Sequence, residues 1–291
     1  MKNLIAILIL FSTLQSIAQE NSKDFFVQAG LSASTTANYS INGTDTTLQS
    51  AFTLAPFVRI MHKSGLGLNY ALNTLSSAGK QAVYMNTATA FYESYDKPVN
   101  LNISYAHFFF NNNSTLPYTP INNELYGYVS YKKLWIAPAV VTNIGFGKNE
   151  NNVKQAVFNV AAGVTHNFNF ISESNNENDI TLSLFLNGGN NEYYSFLRSV
   201  HYITQNTGSK GFLKSNGHPH VRGQGNKGTA TTASAATNQF TFNNIELNLY
   251  SSFHFANFEL VPDGSIFVPV IATSGVAAYW QLKLAYNFGK K

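Results

Sequence analysis

The sequence predicts an all-β fold: a transmembrane, antiparallel, up-and-down β-barrel of about twelve strands, with ten to fourteen compatible with the pattern. Three observations carry this expectation. Apolar side chains recur at every second position over long segments. The connections alternate between tight turns and longer loops. Charge is scarce where aromatic and uncharged polar residues are plentiful, with 11% charged residues, 23 Phe and 16 Tyr, whereas a typical soluble domain carries about 25% charged residues.

The elements follow in chain order. The opening "MKNLIAILILFSTLQSIAQE" has one early Lys2, an apolar run from Leu4 to Phe11, and small or polar residues up to Ala18-Gln19. That is the layout of a secretory signal peptide, expected over residues 1–19 and removed from the mature chain. Its apolar run is well short of the ~20 residues that a spanning helix needs. Residues 20–291 are then one barrel domain. Alternating segments lie near 25–37, 49–62, 65–76, 82–94, 98–109, 123–131, 134–147, 154–169, 179–190, 240–254, 257–270 and 276–288. In 154–169 the apolar row Ala156, Phe158, Val160, Ala162, Val164, Phe168 faces the polar row Asn159, Gly163, Thr165, Asn167. In 240–254 Ile245, Leu247, Leu249 and Phe253 alternate with Glu246, Asn248, Tyr250 and His254. The last segment places Trp280, Leu282, Leu284, Tyr286 and Phe288 on one row, with Gln281, Lys283 and Asn287 between them. Period-two alternation means opposite faces, and helical spacing fits none of these segments. Pro262-Asp263-Gly264 reads as a turn or bulge, and Pro269 as an interruption of the ladder.

Tight connections are expected at 62–65, 95–98, 131–134, 172–179 and 255–257. Looser ones are expected at 40–47, 76–81, 110–122, 147–152, 191–239 and 272–275. With both ends of the mature chain on the periplasmic side, the tight turns fall there and the long loops outside, as in outer-membrane barrels. Outward apolar rows in such number would exceed the patches a soluble monomer tolerates. Tyr70, Tyr95, Tyr105, Tyr131, Trp135 and Trp280 read as girdle anchors, and His62 and His107 as interfacial residues beside the apolar band.

The stretches "HKSGLGLNYAL", "VNLNISYAHFFFNNNS" and "INNELYGYVSYKKLWIAPAV" resemble segments of outer-membrane β-barrel proteins from Bacteroidota. The resemblance spans about 24–190 and 240–288 and implies a location in the bacterial outer membrane. It carries over no functional residue. Such barrels often end in an aromatic residue, whereas here Phe288 is followed by Gly289-Lys290-Lys291.

Several function classes are excluded or disfavoured. There is no cysteine, hence no disulfide scaffold, thiolate metal site, Cys nucleophile or lipoprotein anchor. The net charge of +4 comes without a Lys/Arg cluster, which disfavours nucleic acid. No cofactor is expected. His218 and His220, with His201 nearby, have H-x-H spacing but no adjacent carboxylate. "GQGNKGT" lacks the phosphate-loop spacing. A hydrolase would need a serine beside His107 or His166, and no G-x-S-x-G elbow exists, so no enzyme is expected.

The candidate site is the lumen. Arg59, Glu124, Glu246 and Lys283 fall on the inner face. They read either as a mixed-charge constriction selecting small polar solutes or as two buried ion pairs closing the barrel. Tyr126, Tyr128, Tyr250 and Gln281 share that face and offer hydroxyl and amide groups. The leading expectation is a narrow channel or binding barrel for small polar solutes. The alternatives are a non-conducting barrel acting as a structural or partner subunit of an outer-membrane assembly and, more weakly, an outer-membrane hydrolase. Loop 191–239 is rich in Gly, Asn, Ser and Thr; it reads as a surface loop, a gate at the barrel mouth, or a docking surface for other envelope proteins.

Overall fold

The computed structural model of the protein describes residues 24–39, 48–77, 80–95, 98–111, 121–148, 152, 154–171, 177–190, 240–270 and 277–288. The expected signal peptide, loop 191–239 and residues His201, His218 and His220 lie outside them. Twelve strands are present among the described residues: β1 (Phe25–Tyr39), β2 (Leu48–His62), β3 (Leu66–Ser77), β4 (Lys80–Ser94), β5 (Val99–Phe110), β6 (Ile121–Tyr131), β7 (Ala137–Lys148), β8 (Lys154–Ile171), β9 (Glu177–Asn190), β10 (Thr241–Phe255), β11 (Phe258–Pro269) and β12 (Ala277–Phe288). Each pairs antiparallel with its sequence neighbours, and β1 pairs with β12, so the sheet closes into an up-and-down barrel. The shortest strand has 11 residues and the longest 18. All therefore meet the 9–11 residues that a tilted strand needs to cross a bilayer.

Alternation decides which face each residue takes. On β10 Ile245, Leu247 and Leu249 point outward and are exposed, while Asn244, Glu246, Asn248 and Tyr250 are buried inside. The outward rows of β3, β9 and β12 repeat this with Leu66, Leu68, Tyr70; Leu182, Leu184, Leu186; and Trp280, Leu282, Leu284. A water-facing surface does not carry such a continuous apolar band. The band and the closed ladder are those of a transmembrane barrel, and barrels of this kind belong to the bacterial outer membrane.

The structure departs from the sequence expectation in several places. Pro262-Asp263-Gly264 is neither a turn nor a bulge. Pro262 pairs with Leu282, Asp263 with Gln281 and Gly264 with Trp280 in continuous register. On the β10 side Tyr250 pairs with Asp263 and Phe253 with Leu260, and pairing lapses between them. Pro262 lacks the amide hydrogen a ladder bond would use, so the strand survives with one side locally unbonded. Where a loose connection is expected at 76–81, β3 runs to Ser77 and β4 starts at Lys80. Conversely, the tight turn expected at 131–134 extends from Lys132 to Ile136. Phe288 does not join the exposed row; it is buried with Val27 and Ala29. Tyr95 is not a girdle residue, since its hydroxyl accepts a bond at 3.3 Å from Asn102, an inner-face residue.

Register shifts occur between Asn73 and Thr74, between Ile121 and Asn123, and between Phe242 and Asn244. All three lie toward the rim opposite the chain ends, where bulges commonly bend a barrel wall. The other rim is drawn together by short backbone bonds. Lys63 N donates to Asp24 O at 2.7 Å, and Asn287 N to Asn257 O at 2.7 Å. The Lys63 ammonium lies 2.7 Å from Asp24 Oδ1 and holds that carboxyl below the usual carboxylate range. The pair is exposed and contributes little stability; what it does contribute is present at neutral pH and lost as pH falls through the lowered Asp24 value. Gly65, at φ +94°, turns the chain between β2 and β3; a Cβ there would sit 1.9 Å from the Glu93 carbonyl oxygen.

Two stability changes are expected from this geometry. Gly65→Val combines a disfavoured dihedral with that clash and should lower unfolding free energy by about 1–3 kcal/mol, read by urea titration of the refolded protein. Leu247→Arg, on the exposed belt, should cost about 2–4 kcal/mol if its position is near the bilayer midplane. The same substitution costing nothing would remove Leu247 from the lipid-facing band.

Candidate functional site

The lumen is built from the inner rows of all twelve strands, and its lowest layer is organised by a cross-strand stack. Gly67 faces Phe91 across β3 and β4. Without a Cβ at Gly67 the Phe91 ring lies flat against the wall, since an added Cβ would stand 2.2 Å from Phe91 Cζ. The Arg59 guanidinium then sits over that ring, 4.0 Å from its centroid. From there its Nη2 reaches Glu93 Oε2 at 2.7 Å. Glu93 Oε1 accepts a bond from Asn102 Nδ2 at 2.8 Å. The same Gly-opposite-Phe device recurs at Gly163 with Phe185 and at Gly30 with Phe57.

A second buried pair lies on the other side of β1. Lys283 Nζ stands 3.4 Å from Glu259 Oε1. Glu259 Oε2 accepts from Gln28 Nε2 at 2.6 Å, and Gln28 also donates to Asn287 Oδ1 at 2.9 Å. Ser252 Oγ donates to Glu259 Oε1 at 3.3 Å. Both pairs lie toward the rim where the chain ends meet, with Arg59 and Glu93 near the ends of β2 and β4, Glu259 at the start of β11 and Lys283 in the second half of β12, and together they form a charged layer. In a low-dielectric interior such a layer persists only because each charge has an opposite partner and further hydrogen bonds.

The eight residues singled out in the sequence are all on the inner face and buried: Arg59, Glu124, Tyr126, Tyr128, Glu246, Tyr250, Gln281 and Lys283. The pairing differs from the expectation in one respect. Arg59 and Lys283 bind Glu93 and Glu259; Glu124 and Glu246 stand elsewhere in the lumen. Glu124 accepts a bond from Asn143 Nδ2 at 2.5 Å. Glu246 accepts from Asn187 Nδ2 at 3.2 Å and from Ser265 Oγ at 3.1 Å. Gln281 donates to Ser32 Oγ across the β1–β12 seam. Tyr126, Tyr128 and Tyr250 pack with Phe185, Val141 and Val261 in one apolar cluster reaching from β6 to β11.

The remaining inner wall is polar. Several buried atoms on it have no hydrogen-bond partner among the described residues, including Asn73 Oδ1, Asn100 Oδ1, Asn143 Oδ1, both Asn159 side-chain atoms, Thr181 Oγ1 and Ser183 Oγ. Buried polar groups in native proteins are nearly always bonded, so these groups call for water or a solute.

His107 Nδ1 lies 2.8 Å from Asn123 Oδ1, and His166 Nδ1 2.5 Å from the Trp135 carbonyl. Among the described residues two Ser–His contacts are present, both toward the rim where the chain ends meet. His62 Nδ1 meets Ser64 Oγ at 2.9 Å in an exposed turn. Ser252 Oγ lies 3.3 Å from His254 Nε2 and donates to Glu259 Oε1, so in this chain of contacts the serine, not the imidazole, stands in the middle. A triad requires the imidazole in the middle.

No family model matches the chain, and no curated protein matches it in sequence. Solved structures similar to it include the following three. A NanC porin is 8% identical, with 90% of this chain and 98% of that chain covered and a TM-score of 0.41. An outer membrane channel from Pseudomonas putida F1 is 10% identical over 91% and 94%, with a TM-score of 0.45. LpxR from Salmonella typhimurium is 8% identical over 89% and 99%, with a TM-score of 0.43. No activity, ligand or partner follows from likeness at this level.

The charged layer makes a direct prediction. Arg59→Ala leaves Glu93 buried without its guanidinium and should cost about 3–5 kcal/mol, whereas Arg59→Met with Glu93→Leu should recover most of that loss. Unfolding midpoints of the two variants decide it; equal losses would show that the pair does not act as a unit.

Proposed function

We propose that the protein is an outer-membrane barrel of the Bacteroidota type, delivered through a leader at residues 1–19, whose polar lumen binds or passes small polar solutes. The observation that carries this reading is the chemistry of the inner wall. A barrel interior serving only as a structural core is more stable when filled with apolar side chains than with buried amides and charges. This wall instead presents Asn73, Asn100, Asn143, Asn159, Thr181 and Ser183, each with a buried polar atom left without a partner among the described residues. Such groups suit water, or the hydroxyls of a sugar-like solute. Arg59, Glu93, Glu259 and Lys283 would set selectivity at the rim where the chain ends meet. The Tyr126, Tyr128, Phe185 and Tyr250 cluster would hold the passage closed at rest.

That same cluster favours a second reading, a non-conducting barrel that serves as a structural or partner subunit of an envelope assembly and meets other proteins through loop 191–239. The first reading assigns no enzymatic activity.

Single-channel conductance in a planar bilayer separates the two. The refolded protein should show small or intermittent conductance, and Phe185→Ala with Tyr250→Ala should raise it severalfold by opening the apolar cluster. Silence in both, with correct insertion, would remove solute passage and leave the subunit reading, to be followed by co-purification from the envelope.

A further inference from the structure

Outside the lumen, one feature at the rim opposite the chain ends has no role in solute passage. Lys148, the last residue of β7, lies directly opposite Lys154, the first residue of β8. Both point outward and are exposed. Like charges directly opposite on one face of a strand pair are destabilising. Among the described residues neither lysine has an acidic partner. Directly beneath them the same face carries Phe146 opposite Ala156 and then Ile144 opposite Phe158, all exposed and belonging to the apolar band. The lysines therefore stand where the hydrocarbon belt ends and polar head groups begin.

The ground beside them is concave. A cleft of about 530 Å³ is lined by Asn122, Asn123, Phe146, Gly147, Lys148, Lys154 and Ala156. The register shift between Ile121 and Asn123 on β6 lies beside it. Asn123 is fixed by several bonds: its Oδ1 accepts from the Tyr105 hydroxyl at 2.7 Å and lies 2.8 Å from His107 Nδ1, and its Nδ2 reaches Asn122 Oδ1 at 2.6 Å. The cleft thus combines a held amide edge, two ammonium groups and an apolar floor continuous with the lipid-facing belt.

We propose that this cleft binds the phosphate head group of an anionic lipid in the outer leaflet, with Lys148 and Lys154 clasping one phosphate and an acyl chain lying over Phe146 and Ala156. An anion between the two ammonium groups turns their mutual repulsion into attraction. The apolar floor assigns that anion to a lipid, because free phosphate makes no use of it. The inference rests on the barrel's orientation in the membrane and is independent of whether the lumen conducts.

The test uses the full-length protein refolded into vesicles of phosphatidylcholine alone or with one-fifth phosphatidic acid. Insertion is checked in every arm by heat-modified gel mobility, so failure to enter the bilayer is distinguished from failure to bind. Phosphatidic acid should raise the thermal unfolding midpoint of the wild type by a few degrees and leave Lys148→Ala/Lys154→Ala unmoved. The exposed variant Lys132→Ala, at the opposite rim, should keep the full shift. Three outcomes would overturn the proposal: no shift in the wild type, an equal shift in the double variant, or the same shift from millimolar inorganic phosphate added to phosphatidylcholine vesicles.

Discussion

Everything in this protein depends on the seam where β1 meets β12. In hydrocarbon an unsatisfied backbone amide or carbonyl costs several kcal/mol, so an open sheet of twelve strands could not remain in a membrane. Eight successive residue pairs, from Val27 with Phe288 to Ser34 with Gln281, close that edge. Closure fixes the number of strands, and the number of strands fixes the bore. It also places Gln28 beside Asn287, and Ser32 beside Lys283 and Gln281, although they come from opposite ends of the chain. The lumenal charge layer is a consequence of that seam.

Within the bore the problem is volume. A twelve-strand wall encloses more space than an eight-strand one, whose interior side chains alone can fill. This chain fills it with large rings where glycine permits. Phe57, Phe91 and Phe185 each lie against a glycine on the adjacent strand. Ring packing against bare backbone covers the wall and, at Phe91, provides the surface on which Arg59 rests. The tyrosines of β6 and β10 complete the filling from the far side. Polar groups occupy what remains, and the orphaned amides and hydroxyls among them distinguish this interior from an ordinary hydrophobic core.

The outer surface obeys a different rule. Lipid is as apolar as leucine, so the outward rows need only be apolar and of sufficient length. That tolerance explains why alternation, aromatic content and low charge were enough to locate the strands within a few residues. It also explains where reading by alternation failed. At Pro262-Asp263-Gly264 the residue types signal a turn, yet pairing with β12 on one side holds the strand extended. Across β4 the two rows differ little in polarity, Thr87 and Thr89 inside against Ala88 and Ala90 outside, so Glu93 did not declare itself as a partner.

The sequence by itself determined the face each residue takes, because the side-chain period of a strand is two and needs no knowledge of neighbours. Arg59, Glu124, Tyr126, Tyr128, Glu246, Tyr250, Gln281 and Lys283 could be assigned to one side on that basis alone. Which of them meet is another matter. Contact across a barrel is set by register, by bulges such as the one beside Asn122, and by the stagger of twelve strands around a closed wall. None of these has a local signature. Arg59 therefore finds Glu93 two strands away, and Lys283 finds Glu259 on its neighbour, while Glu124 and Glu246 are held by amides and a hydroxyl. The same holds for Lys148 and Lys154, ordinary hairpin lysines in the sequence, which only the register of β7 on β8 brings face to face above the apolar band.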